Sequence, residues 1–220
     1  MRKYKIVEIF ESINGEGKKA GQLALFIRFQ GCNLNCDYCD TKWANKQDVE
    51  YISMSTEEII NRILISGIKN ITITGGEPLI QPYIKELLEE LSKLDIEIEI
   101  ETNGSIDIRP FIEFKNISLT MDYKLSASKM ESFMNLENFS YIRKNDTIKF
   151  VSGSIEDLEK VKTLIEKYNL KEKCSIYISP VFGKIIPVEI VEFMLKNKLN
   201  GINLQLQIHK IIWSPDKKGV

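Results

Sequence analysis

Apolar and polar residues alternate along this chain on two length scales. Short apolar runs rich in Ile, Val and Phe recur at Leu25–Phe29, Asn70–Thr74, Ile96–Glu101, Ile117–Met121, Thr147–Val151, Ser175–Ser179 and Gly201–Ile208. Runs of this length and β-branched content predict strands. Between them, apolar positions three and four apart predict amphipathic helices over Thr56–Ser66, Pro82–Lys93, Ile155–Tyr168 and Pro187–Asn197. Ser55-Thr56-Glu57-Glu58 reads as a capping box. Ser154 or Ser152 can cap the helix carrying Glu156, Asp157 and Glu159, acids that suit the positive end of the helix dipole.

Strands alternating with helices predict right-handed βα units around a parallel sheet. About six such units fit in the 220 residues, too few for a closed eight-stranded barrel. The expectation is an α/β fold, a partial barrel of about six parallel strands in a single domain over residues 1–220. In parallel α/β folds ligands gather at the carboxyl ends of the strands, and that is where the unusual residues of this chain fall. A cysteine loop follows Leu25–Phe29, and Thr74-Gly75-Gly76-Glu77-Pro78 ends the next strand. Glu101-Thr102-Asn103-Gly104, Asp122-Tyr123-Lys124 and Ser179-Pro180-Val181-Phe182 end later ones.

Composition narrows the setting. Hydrophobic residues are 43% of the chain, enough for a substantial core, and 30 basic against 31 acidic residues leave a formal net charge of -1. That balance gives no global attraction to nucleic acid or an anionic membrane. The apolar runs are far shorter than a bilayer span, and the start, Met1-Arg2-Lys3-Tyr4-Lys5, has no apolar signal core. A cytoplasmic protein is expected, with no nucleic-acid or membrane partner. A reducing compartment also suits clustered free thiols.

The cysteines form a C-x3-C-x2-C loop of Cys32, Cys36 and Cys39. Thiolates favour iron–sulfur clusters and zinc. A four-iron cluster held by three cysteines keeps one iron open, and an open position marks a reactive centre. A structural zinc site would need a second pair of ligands. Only Cys174 and His209 remain of those types, so an oxygen from Asp37 or Asp40 would have to complete it. Gly75-Gly76-Glu77-Pro78 alone is a tight turn leading into a helix. Beside an open iron, its glycines would let backbone approach a ligand closely, and Glu77 would accept hydrogen bonds from an ammonium group. Together they describe an S-adenosylmethionine site.

On Cys32, Cys36, Cys39, the preceding aromatic Tyr38, and Gly75-Gly76-Glu77-Pro78, the chain resembles the radical S-adenosylmethionine superfamily. The segment from Glu8 through Ile13-Asn14-Gly15-Glu16-Gly17, and the tail from Gln207 to Val220, are similar to the 7-carboxy-7-deazaguanine synthase family. The resemblance implies that Cys32, Cys36 and Cys39 ligate a 4Fe–4S cluster. It implies contacts to S-adenosylmethionine from Tyr38, Gly75, Gly76, Glu77, Asp122, Tyr123, Lys124, Ser179, Pro180, Val181 and Phe182. It implies a pterin site of Ile13, Asn14, Gly15, Glu16, Arg28, Thr74, His209 and the carboxylate of Val220, and a magnesium ligand in Thr41. Asn14, Asp122-Tyr123 and Ser179 depart from the family's usual Gln, Ser-Pro and Gln.

The implied reaction begins with reductive cleavage of S-adenosylmethionine to a 5′-deoxyadenosyl radical. That radical takes hydrogen from C6 of 6-carboxy-5,6,7,8-tetrahydropterin. Ring contraction and loss of ammonia follow, giving 7-carboxy-7-deazaguanine. An electron donor such as flavodoxin and a homodimer are implied by the same analogy. The rival readings are an activating enzyme for a glycyl-radical protein and a non-enzymatic iron–sulfur or zinc module.

Several residues also have plainer explanations. Arg28 is a charge among apolar strand residues, so a ligand or partner must offset its burial. Glu16 could be a solvated turn residue, Thr41 a cap, and His209 a hydrogen-bonded core residue. Glu97 and Glu99 read as a solvated or salt-bridged face, and Glu101 lies nearer the site. Cys174 reads as a buried thiol. Trp213 and Pro215 could anchor the tail.

Overall fold

A computed structural model of the chain describes residues 2–214 and 217–220; Pro215 lies outside the described residues. The strands are β1 (Tyr4–Ile13), β2 (Leu23–Phe29), β3 (Ile52–Met54), β4 (Asn70–Gly75), β5 (Glu97–Thr102), β6 (Ile117–Tyr123), β7 (Thr147–Ser152), β8 (Ser175–Pro180) and β9 (Asn203–Leu204). The helices are α1 (Thr56–Ser66), α2 (Ile84–Leu91), α3 (Asn138–Tyr141), α4 (Ile155–Tyr168), α5 (Pro187–Lys196) and α6 (His209–Ile212). All strands join one nine-stranded sheet in the order β3-β1-β2-β4-β5-β6-β7-β8-β9. The array from β2 through β4 to β9 is parallel, and β1 and β3 are added antiparallel at one edge. The sheet stays open, as the partial barrel requires, but it is larger than the expected six strands.

The additions have physical reasons. In β1 the register against β2 shifts between Ile6 and Glu8. A bulge of this kind breaks the two-residue alternation by which a strand is read from sequence. β3 is three residues long, lies at an edge and is largely exposed, so it carries little apolar signal. At the other edge, β9 covers only two residues of the expected Gly201–Ile208 run. Beyond it, the Gln205 amide turns to the β1–β2 loop, bonding Gly17 N at 2.8 Å and Gly17 O at 3.1 Å.

Helix limits follow local chemistry. In α1, Ser55 Oγ accepts from Glu58 N at 3.2 Å and Glu58 Oε2 accepts from Ser55 N at 2.6 Å, closing the expected box. Gly67 ends α1 with φ 68°, a left-handed conformation glycine adopts without strain. Ser154, rather than Ser152, caps α4. α2 starts later than the Pro82 expectation because Tyr83 has φ 64°, outside the helical region.

The parallel strands separate two kinds of residue by alternation. Ile71 and Ile73, Ile98 and Ile100, Leu119 and Met121, Ile148 and Phe150, and Ile176 and Ile178 are buried in one core with α1, α2, α4 and α5 residues. Each such side chain contributes about 1.5–3 kcal/mol. The alternating positions carry Thr74, Glu101, Thr120, Asp122 and Lys149, which line a cavity on the other face. Among the described residues no helix is long and apolar enough to cross a membrane.

Candidate active site

The cysteine loop leaves the carboxyl end of β2 through Gly31, whose φ is 89°. Cys32, Cys36 and Cys39 are free thiols that line a shared cavity of about 550 Å³. Cys32 Sγ accepts from Leu34 N at 3.4 Å and lies 3.7 Å from Asn103 Nδ2. Burial pushes all three thiols up from their usual range. A thiolate here would need a nearby cation, a charge that iron held by these three residues would supply. Cys174 lies apart, buried, with its thiol pushed up to about 12 by desolvation.

The donor set, three free thiols bordering one cavity, fits a cluster that takes one thiolate on each of three irons. Tetrahedral zinc draws its ligands onto one point, whereas a four-iron cluster distributes thiolates over separate irons. The oxygens considered for zinc are engaged elsewhere: Asp37 pairs with Lys129 at 3.0 Å and Asp40 with Lys210 at 3.2 Å.

The turn after β4 forms the adjoining wall. A Cβ on Gly75, whose φ is 151°, would meet Phe29 O at 2.5 Å, and one on Gly76 would collide with Gly31 O and Asn45 Oδ1. This backbone packs so tightly onto the cysteine loop that side chains are excluded. Asn45 Oδ1 is buried without a partner beside it, an acceptor available to a bound molecule.

Glu77 does not reach this cavity. It is fully buried behind the glycines, accepting from Leu79 N and Thr102 Oγ1 at 2.9 Å and from Asn103 N at 2.6 Å. Desolvation outweighs those hydrogen bonds and raises its carboxyl to about 7. In this structure the Glu77 carboxylate braces the turns after β4 and β5.

Beyond β6, alternation sorts the expected cofactor residues. Asp122 and Lys124 line the cavity, whereas Tyr123 faces the core, 5.4 Å from the ring of Phe139 and 5.7 Å from that of Phe150. The Tyr123 ring is thus a core element, and only its backbone remains at the end of β6 beside Asp122 and Lys124. Asp122 Oδ2 lies 2.9 Å from Lys124 Nζ and 3.4 Å from Lys149 Nζ, and its Oδ1 is buried unpartnered. Burial alone would raise the Asp122 carboxyl, but these two ammoniums hold it below the usual range. Pro180, Val181 and Phe182 line the cavity. Ser179 is fully buried beneath them, and its hydroxyl donates to Glu16 Oε1 at 3.3 Å. Tyr38 lines the cavity, with its hydroxyl 3.5 Å from Val151 O. Thr41 lines it too, donating to Asp40 Oδ1 at 3.0 Å and making no capping bond.

The remaining wall comes from β1 and the loop after it, β2, β4 and the C-terminal segment. Ile13, Gly15, Glu16, Arg28, Thr74, His209 and Val220 line the cavity. Asn14 does not; it is buried, with Nδ2 donating to Glu99 Oε2 at 3.2 Å and Oδ1 accepting from Thr72 Oγ1 at 2.9 Å. Glu99 is consequently no solvated residue, whereas Glu97 is exposed and paired with Lys19. Arg28 Nε donates to Glu8 Oε1 at 2.8 Å, and Thr74 Oγ1 to Glu101 Oε2 at 2.7 Å. His209 packs against Gly15, and burial lowers its pKa. The Lys218 ammonium lies 4.0 Å over the Trp43 ring, tying the tail to the segment after the cysteines.

Sequence reasoning missed Glu8, Asn45, Asn103, Lys149 and Gln207, all of which line the cavity. Lys149 had a legible signal, a lone cation in an apolar strand like Arg28. The bulge hides Glu8, and the others lie in loops whose patterns carry no direction.

Residues 26–123 match the model of the radical SAM superfamily. The chain is 59% identical over 220 residues to a 7-carboxy-7-deazaguanine synthase from Clostridium acetobutylicum, covering 99% of each. It is 36% identical to one from Methanospirillum hungatei, over 96% of this chain and 86% of that one. In fold it is similar to the crystal structure of QueE from Escherichia coli, with TM-score 0.68 at 24% identity, covering 93% of this chain and 94% of that one. With these relatives matched along nearly their whole length, this chain belongs to the 7-carboxy-7-deazaguanine synthases of the radical SAM superfamily.

Proposed function

We propose that this chain converts 6-carboxy-5,6,7,8-tetrahydropterin to 7-carboxy-7-deazaguanine, with loss of ammonia, for deazapurines such as queuosine. One observation carries the reading within the family: the three-thiol loop, the glycine wall and a charged wall from β1, β2, β4 and the C-terminal segment border a shared cavity. Family membership favours it over activation of a glycyl-radical protein or a structural zinc role.

Cys32, Cys36 and Cys39 would hold the 4Fe–4S cluster. When bound, the cluster and S-adenosylmethionine supply one-electron cleavage and hydrogen abstraction. The backbone of Gly75 and Gly76, with Asn45 Oδ1, offers polar atoms to the cofactor's amino-acid end, a role that Glu77 serves only indirectly. Asp122, Lys124 and Tyr38 border the nucleoside end with Pro180, Val181 and Phe182. Arg28 keeps its Nη edge for the substrate carboxylate while Glu8 holds Nε, the fork geometry that suits a carboxylate. Thr74, Gly15, His209 and Val220 are available to the pterin ring edge. Thr41 Oγ1 and the substrate carboxylate suit magnesium, a hard cation that takes few protein ligands. The single domain would act in the cytoplasm as a homodimer, reduced by a flavodoxin-like donor.

The test is anaerobic cluster reconstitution and reduction, then product analysis with the tetrahydropterin, with and without magnesium. Formation of 7-carboxy-7-deazaguanine together with 5′-deoxyadenosine is expected, faster with magnesium. Cleavage of S-adenosylmethionine with the pterin left unchanged would remove the substrate assignment. A magnesium-independent rate would remove that of Thr41.

A further inference from the structure

Lys149 stands where two walls of the cavity meet. Its ammonium lies 3.0 Å from Glu16 Oε2 and 3.4 Å from Asp122 Oδ2, with its side chain only 11% exposed. Asp122 is its register partner on the adjacent parallel strand β6. Glu16 arrives from the β1–β2 loop, 133 residues distant in sequence. The other donors to Glu16 are Ser179 Oγ on β8 at 3.3 Å and Gln207 Nε2, just before α6, at 3.2 Å. An ionised carboxylate has about four acceptor positions, and protein donors from separate segments occupy most of those on Glu16. Its geometry is that of a structural junction, with little capacity left for the substrate.

We propose that Lys149 is a positioning residue that sets the separation of the Glu16 loop from the Asp122 end of β6. The assignment of substrate to the first wall and cofactor to the second rests on the proposed function; the bridge does not. An ammonium between two carboxylates offsets a repulsion that water cannot screen well at this depth. Without it Glu16 and Asp122 face each other with Lys124 as the remaining nearby ammonium on that side, and Glu16 is the one carried by a loop rather than a central strand, held there by Ser179 and Gln207. Gly17 N bonds Gln205 Oε1, and Ile208 N bonds Gly15 O at 3.1 Å, so the loop moves together with the segment before α6.

The experiment compares Lys149→Gln, Lys149→Arg and Glu16→Gln with the native chain. Amide hydrogen exchange is read first, without cofactor or substrate. Lys149→Gln should speed exchange in residues 13–17 and 205–209 at least tenfold (roughly one such step per pairing lost), with β7 and β8 protected as before. Lys149→Arg should restore native exchange because it keeps the charge. Kinetics of the loaded enzyme come second. Lys149→Gln should raise the pterin KM and the ratio of 5′-deoxyadenosine to product, by up to on the order of 10²-fold in coupled turnover. Native exchange in both segments of Lys149→Gln, or loosening spread evenly over β6 to β8, overturns the proposal. If Lys149→Gln does not fold, Glu16→Gln decides: it breaks the same bridge from the loop side and must loosen the same two segments. A native enzyme that leaves the pterin untouched would refute the proposed function, while the exchange comparison would still decide the role of Lys149.

Discussion

Carboxylates around the cavity differ in fate according to their partners. Asp122 is pushed up by burial, but the Lys124 and Lys149 ammoniums outweigh that effect. Glu77 and Glu99 meet mostly neutral donors, so burial raises each to about 7. For Glu99 the usual value is 4.5. Between those values the folded chain keeps a proton that the unfolded chain has lost, so stability falls as pH rises through this window and then levels. We predict that Glu99→Gln removes this decline, stabilising the protein at pH 8 relative to native by on the order of 2–3 kcal/mol. Denaturant melts at pH 4.5 and pH 8 check it; parallel losses in both proteins would contradict the assignment. The cysteines give the second residue-scale prediction. Cys32→Ala, Cys36→Ala and Cys39→Ala should each abolish intact cluster and all cleavage of S-adenosylmethionine, because no spare thiol borders the cavity among the described residues. Cys174→Ala should preserve both, measured as iron content and 5′-deoxyadenosine formed; cluster loss in that variant would refute the three-cysteine assignment.

Among the elements, α1 and α4 are specified by their own sequence. Each has a side-chain cap at its start and a left-handed residue at its end, Gly67 and Asn169. Ser55→Ala should cost about 1 kcal/mol, read as a fall in Tm of about 2–4 °C, with activity retained. The turn after β4 behaves differently, because its glycines answer to another element. A Cβ on Gly76 must displace the backbone of Gly31 or the side chain of Asn45. Gly76→Ala is therefore expected to cost about 1–3 kcal/mol and to weaken S-adenosylmethionine binding, measured by equilibrium dialysis on the loaded enzyme. Native binding affinity would show that this wall has slack. The antiparallel strands β1 and β3 illustrate the opposite limit: hydrogen bonding of β1 to β2 and of β3 to β1 defines them more than their own pattern does.

At the scale of the whole molecule, the cavity face of the sheet is closed by segments far apart in sequence. The loop after β1 crosses to β8 and the segment before α6 through Glu16, Ser179 and Gln207, and Val220 reaches the same cavity. Deleting Gly219 and Val220 should raise the pterin KM or lower kcat while sparing the cluster, because both residues line the cavity. Unaltered kinetics in this variant at full iron loading would show that the tail does not contribute to the site.

The sequence by itself determined the βα alternation, the helices α1 and α4 to the residue, the three-thiol loop and the end of the sheet where the site lies. Those features depend on local periodicity, on caps within one turn, and on a strand's carboxyl end being set by its direction. Only the tertiary structure decided which side chains enter the cavity. Glu77, Tyr123, Ser179 and Asn14 belong to the right segments but are buried beside the cavity instead of within it. Strand alternation turns Tyr123 into the core, and Glu77, Ser179 and Asn14 are held by partners 25 or more residues away in sequence. Lys149 and Glu8 entered for the same reason, since a charge in a strand is placed by the partner that offsets its burial, and that partner lies on another part of the chain.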